Sequence, residues 1–180
     1  MLFRSMAVGA EDPAYILKTI DGGDSWKIVY ENKTKGMFLD AMEFWNERSG
    51  IVIGDPIDGH FFITRSFDGG DSWQDIPLEK RPLADSGEAC FAASGTNIRA
   101  LDRDEAIFVT GGKRSRIFGR NGPADLPLIQ GKETTGANSI AIGDRYKMKG
   151  GKRMIVVGGD FNADSSIEKN CFYTKDGGKT

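Results

Sequence analysis

Ser66-Phe67-Asp68-Gly69-Gly70-Asp71-Ser72-Trp73 decides the fold, because the chain repeats it. An earlier copy is Thr19-Ile20-Asp21-Gly22-Gly23-Asp24-Ser25-Trp26, and a later one is Thr174-Lys175-Asp176-Gly177-Gly178-Lys179-Thr180. The shared pattern is S/T-x-D-G-G-x-S/T, followed by Trp in the first two copies, with a Trp expected next in the third. Paired glycines permit the positive φ that a tight hairpin connection needs. The Asp carboxylate accepts from turn N–H groups, the Ser and Thr hydroxyls do the same, and the Trp supplies a large apolar ring. These duties are structural. Asp21, Gly23, Ser25, Trp26, Asp68, Gly70, Ser72, Trp73, Asp176, Gly178 and Thr180 are therefore read as fold residues, not catalytic ones.

Working outward, Asp21 and Asp68 lie 47 residues apart, and Asp68 and Asp176 lie 108 apart, about two units with an insertion. A period of roughly 40 to 50 residues suits one four-stranded propeller blade. Short alternating runs fill the units. The expected strands are 37–45, 50–54, 60–66 and 73–76 in one blade, then 88–94, 105–110 and 115–120, then 138–142, 153–158 and 170–174. The second strands end alike: Ile53-Gly54-Asp55, Thr110-Gly111-Gly112-Lys113 and Val157-Gly158-Gly159-Asp160. The expected fold is all-β, a propeller fragment of about three to four four-stranded blades. Residues 12–36 would form an outer hairpin, with blades at about 37–80, 84–130 and 134–180 and a leader at 1–11 that fits no blade. Three to four blades do not close a ring and would leave strand edges and apolar faces open, so more sequence is expected at both ends.

Composition agrees. The chain has 180 residues, 28% charged and 39% hydrophobic, with 24 Gly against 6 Pro, which indicates a folded chain rich in tight turns. Net charge is −2 with both signs mixed. The one basic cluster, Lys113-Arg114-Ser115-Arg116, is too short to bind a nucleic-acid backbone and reads as a solvated hairpin. No apolar run reaches the roughly 20 residues of a membrane span. Cys90 and Cys171 have no neighbour at metal-ligand spacing and read as small buried residues. No GxGxxG opens a helix, and Asp12, Asp160 and Asp164 do not form a calcium loop, so neither cofactor nor metal is expected.

The chain resembles a known group. Its repeat resembles the Asp box, the BNR repeat of bacterial neuraminidases, which also marks sortilin-type receptors and some endoglucanases. Overall, it is more similar to photosystem II stability/assembly factor-like proteins. The matching stretches are Gly50-Ile51-Val52-Ile53-Gly54-Asp55-Pro56 with the following Asp box, Phe91-Ala92-Ala93-Ser94-Gly95-Thr96-Asn97, and Val157-Gly158-Gly159-Asp160, and the resemblance covers almost all of residues 12–180. It implies a propeller scaffold that binds assembling protein partners, in a periplasmic or extracellular setting.

Loops joining second and third strands share one propeller face with the inter-blade loops, opposite the Asp boxes. Ligand chemistry is therefore sought at Asp55, Asp58, His60, Lys113, Arg114 and Asp160. Asp40, Glu88 and Asn138 are aligned at the starts of the inner strands, around a channel mouth. Two functions compete. One is a non-catalytic module for a protein partner or carbohydrate. The other is a glycoside hydrolase, for which Asp40 and Glu88 form the best carboxylate pair. A sialidase would need a Tyr nucleophile, a Glu partner and three arginines; Tyr15, Tyr30, Tyr146 and Tyr173 show no such Glu, and Arg116-Ile117-Phe118 does not replace the Arg-Ile-Pro signature.

Overall fold

The structure is a computed structural model describing residues 13–92, 95–101, 104–143, 153–163 and 165–178, with 4–7 as backbone. Asp12, Asp164, Tyr146 and Thr180 lie outside the described residues. The chain is all-β, built of antiparallel sheets, and divides into two compact units, Met1–Leu83 and Ala84–Thr180.

The first unit holds two sheets. β1 (Arg4–Ala7), β2 (Ala14–Lys18) and β3 (Lys27–Asn32) form one. β4 (Leu39–Phe44), β5 (Gly50–Ile57), β6 (His60–Ser66) and β7 (Gln74–Asp75) form the next. Each is a meander of neighbours in sequence order. Arg4–Ala7, assigned by sequence to a leader, is instead a strand, with Arg4 opposite Lys18 and Ala7 opposite Tyr15. Ala14 and Ile16 of β2 bury against Leu39, Val52 and Phe62 of the second sheet. Two polar ties join the sheets: Lys18 Nζ to Asp71 at 2.7 Å, and Tyr30 donating its hydroxyl to Asp75 at 2.8 Å.

The second unit repeats the plan with an interruption. β8 is only Glu88–Ala89, and the inner strand resumes at β9 (Ile98–Ala100), followed by β10 (Ala106–Val109), β11 (Gly111–Gly112), β12 (Arg116–Gly119) and β13 (Gly122–Asp125). Of the expected strand over 88–94, the described residues form a strand at Glu88–Ala89, and Ala93 and Ser94 lie outside the described residues. The Phe91 ring turns inward over Gly111, so close that a Cβ there would meet it at 2.3 Å. β14 (Thr135–Gly143), β15 (Arg153–Asp160) and β16 (Cys171–Thr174) complete the last sheet, which β11 joins through the pair Gly111–Gly136. Its core comprises Ile107, Val109, Leu126, Leu128, Ile140, Met154 and Val156. Cys90 is buried as expected, but Cys171 is exposed, because β16 is the outermost strand.

The matching second-strand ends have a steric cause. A Cβ on Gly54 would sit 2.3 Å from the Phe38 carbonyl oxygen, one on Gly112 2.2 Å from that of Gly87, and one on Gly158 1.8 Å from that of Gly136. Only glycine lets the inner strand press its backbone against these points. Register shifts follow at Leu39/Ala41 and Ala137/Ser139, bulges that place Asp40 and Asn138 out of the regular ladder.

Candidate functional site

The Asp-Gly-Gly hairpins are tied by hydrogen bonds within each turn. Asp68 accepts from the Ser66 hydroxyl at 2.8 Å, the Ser72 amide at 3.0 Å and the Ser72 hydroxyl at 2.6 Å. Asp21 accepts from Thr19 at 2.7 Å and from the Ser25 hydroxyl at 2.5 Å, and Asp176 accepts from Thr174 at 2.7 Å. These donors, hydroxyls above all, hold the carboxyls of Asp21 and Asp68 well below the usual range. Gly22, Gly23, Gly69, Gly70, Gly177 and Gly178 all have positive φ. Trp73 is half-buried and packs against the core, whereas Trp26 is 46% exposed.

Asp40 is the unusual candidate. It is 2% exposed, and neither carboxylate oxygen has a hydrogen-bond partner among the described residues. Burial, then the nearby Asp55 carboxylate, pushes its carboxyl up to about 9. The protonated form therefore dominates at neutral pH. The bulge in β4 explains the placement, since the extra residue turns its side chain out of the alternation that would pair it.

Glu88 has a different role. Glycine register corrects the expected alignment: Gly54 opposes Leu39, Gly112 opposes Glu88 and Gly158 opposes Ala137. The residue equivalent to Asp40 and Asn138 is therefore Ala89, and Glu88 falls one position earlier. Glu88 accepts from Arg116 Nε at 3.0 Å and from Nη2 in a second short contact, from the Thr110 hydroxyl at 2.5 Å and from the Asp85 amide at 2.9 Å. Both partners of the ion pair are buried. Arg116, read as part of a solvated hairpin, is in fact a core cation stacked over Phe118. The alternation Arg116-Ile117-Phe118-Gly119 already put it on the Phe118 side of its strand.

The remaining candidates are divided among local clusters. Arg114 bonds Asp125 Oδ1 at 2.6 Å and pairs closely with Asp85, which holds both carboxyls low and its own guanidinium high. Lys113 Nζ lies 3.7 Å from Glu133. Asp160 accepts from Thr134 at 2.7 Å, the Asn162 amide at 3.0 Å and Lys132 at 3.2 Å, and these hold its carboxyl low. Asp58 and Gly59 form a two-residue hairpin turn with φ of 52° and 74°, and His60 Nδ1 lies 3.0 Å from the Asp58 carbonyl. Asp40 and Asp55 are the candidates the first unit brings together, while Glu88 answers to neighbours in the second.

Among the described residues, no group of three or more His, Cys, Asp and Glu side chains could hold a metal ion, and no helix is long and apolar enough to cross a membrane. Comparisons with protein-family models, curated proteins and solved structures found no match.

Proposed function

We propose that the chain forms part of a β-propeller of Asp-box repeats, of the photosystem II stability/assembly factor-like kind, and serves as a non-catalytic scaffold that binds a protein partner. One observation carries the reading: in the second unit, the charged side chains named among the candidates are committed to one another. Arg114 holds Asp85 and Asp125, Glu88 holds Arg116, and Asp160 is capped by Thr134 and Lys132. Such prepaired charges give a rigid face suited to recognition by shape and charge pattern, and leave little freedom for proton transfer. Antiparallel sheets, two of them meanders in chain order, carrying three Asp-Gly-Gly hairpins support the propeller.

The second reading, glycoside hydrolysis on a carbohydrate, draws on Asp40 alone. A buried carboxyl that stays protonated near neutrality has the character of a general acid. The usual mechanism needs a second carboxylate, and Glu88 is occupied by Arg116. The test is an assay of the protein against fluorogenic glycosides that include a sialoside. No turnover is expected. Turnover that vanishes in Asp40→Asn but persists in Arg114→Gln would replace the scaffold by an enzyme.

A further inference from the structure

Asn121 and Gly122 close the hairpin between β12 and β13, and Asn121 is the asparagine of this sequence that a glycine follows. Gly119 pairs with Gly122 across a two-residue turn, and Gly122 has φ of 86°. Both Asn121 and Gly122 are exposed, and a Cβ on Gly122 would meet nothing within 4 Å. The Asn121 side chain has no hydrogen-bond partner among the described residues. Other turn asparagines are held. Asn32 Oδ1 accepts from the Thr34 amide at 2.9 Å, and Asn46 Oδ1 accepts from the Arg48 and Ser49 amides at 2.8 and 2.9 Å.

An unheld amide beside an unshielded glycine can react without an enzyme, because the two groups are already neighbours. The Gly122 nitrogen attacks Asn121 Cγ. A C–N bond forms, the bond from Cγ to the amide nitrogen breaks, and ammonia leaves with the proton that the Gly122 nitrogen gives up. Water then opens the five-membered imide at either carbonyl. The product is aspartate, or isoaspartate with the backbone running through the side chain.

We propose that Asn121 is a modification site of this kind, at which the folded chain converts its amide to a carboxylate in preference to reaction at its Asp–Gly pairs. Asp21-Gly22 and Asp68-Gly69 have the atoms to close the same ring. Their carboxylates are turned instead to Ser25 and Ser72, whose hydroxyls donate at 2.5 and 2.6 Å and whose amides donate at 2.9 and 3.0 Å. These donors favour the ionised form, which is a poor electrophile. At Asn121, isoaspartate lengthens the turn by one backbone carbon. β13 is the outermost strand of its sheet, and its last residue, Asp125, holds Arg114 at 2.6 Å. Conversion therefore adds a charge and loosens that grip. The inference needs only this hairpin and stands whether the protein is scaffold or enzyme.

The test incubates the folded 180-residue chain at pH 7 and 8.5, and the same chain in urea. Peptide mass spectrometry, with fragmentation that separates aspartate from isoaspartate, follows both. Conversion of Asn121 is expected in each, rising about tenfold per pH unit, as the deprotonated fraction of a weak acid does well below its pKa. Isoaspartate at Asp21 and Asp68 is expected in urea alone. Asn121→Gln, whose ring would have six members, should slow the conversion at least about tenfold while the circular dichroism spectrum is unchanged. Asn121 converting only in urea would overturn the proposal, since the β12–β13 ladder would then protect it. So would isoaspartate at Asp68 of the folded chain forming as fast as the conversion of Asn121.

Discussion

Asp40 and Asp68 lie in the same unit with opposite electrostatics. Asp68 is exposed to water and ringed by donors, so its carboxyl is held low; Asp40 is buried beside the Asp55 carboxylate, so its carboxyl is held high. For Asp40 the folded state retains a proton that the unfolded chain releases near pH 4. Stability is therefore fully present below about pH 4 and is lost as pH rises towards about 9, at up to about 1 kcal/mol per pH unit. Asp40→Asn removes this slope. Urea melts at pH 5, 7 and 8.5 should show the variant gaining on the parent as pH rises; parallel profiles would place Asp40 in the ordinary range. Asp68 contributes the opposite way: its stabilisation is present above about pH 4 and declines as pH falls through its lowered pKa. The Glu88–Arg116 pair gives a further prediction. Arg116→Met leaves a buried, uncompensated carboxylate and should cost about 3–5 kcal/mol in chemical denaturation. Adding Glu88→Leu should recover most of that loss, since the apolar pair no longer carries the desolvation cost of two buried ions.

At the scale of the element, the glycines that end the second strands matter more than those of the hairpins. A side chain on Gly158 would meet the Gly136 carbonyl oxygen at 1.8 Å, whereas Gly177 has open space around it and only its positive φ to oppose substitution. Gly158→Ala should therefore cost at least roughly 3 kcal/mol and shift the backbone of β14, while Gly177→Ala costs about 1–2 kcal/mol. Thermal melts of the two variants check the order; equal losses would mean that β14 moves aside freely. The same glycines were legible in the sequence as a repeated ending, and they fixed the correct register once paired. The strand over 88–94 was not legible. Its residues alternate well enough for a strand, but Phe91 is drawn inward over Gly111, a contact between residues 20 positions apart.

At the scale of the whole molecule, the last sheet has one finished face and one open face. Met154 and Val156 are buried, while their neighbours Ile155 and Val157 are 40% and 41% exposed, beside Tyr173 at 49%. A continuous apolar strip of this kind favours association. The chain should therefore scatter light increasingly over the micromolar range. The double variant Ile155→Lys, Val157→Glu should suppress that scattering with a stability change of only about 0.5 kcal/mol, because neither residue belongs to the core. Undiminished scattering would point to another surface.

The amino-acid sequence by itself determined the all-β character, the hairpins and the strand periodicity. Those features rest on local chemistry: positive φ at paired glycines, a carboxylate within reach of its own turn, and alternation along each strand. Tertiary structure alone decided what the candidate side chains face. Asp40 became an unpaired buried acid because a bulge turned it aside, Glu88 became a buried ion-pair partner because Arg116 comes from a strand 28 residues away, and Arg114 was taken up by Asp85 and Asp125. Burial and partnership depend on chain segments distant in sequence, and no local pattern of residues encodes them.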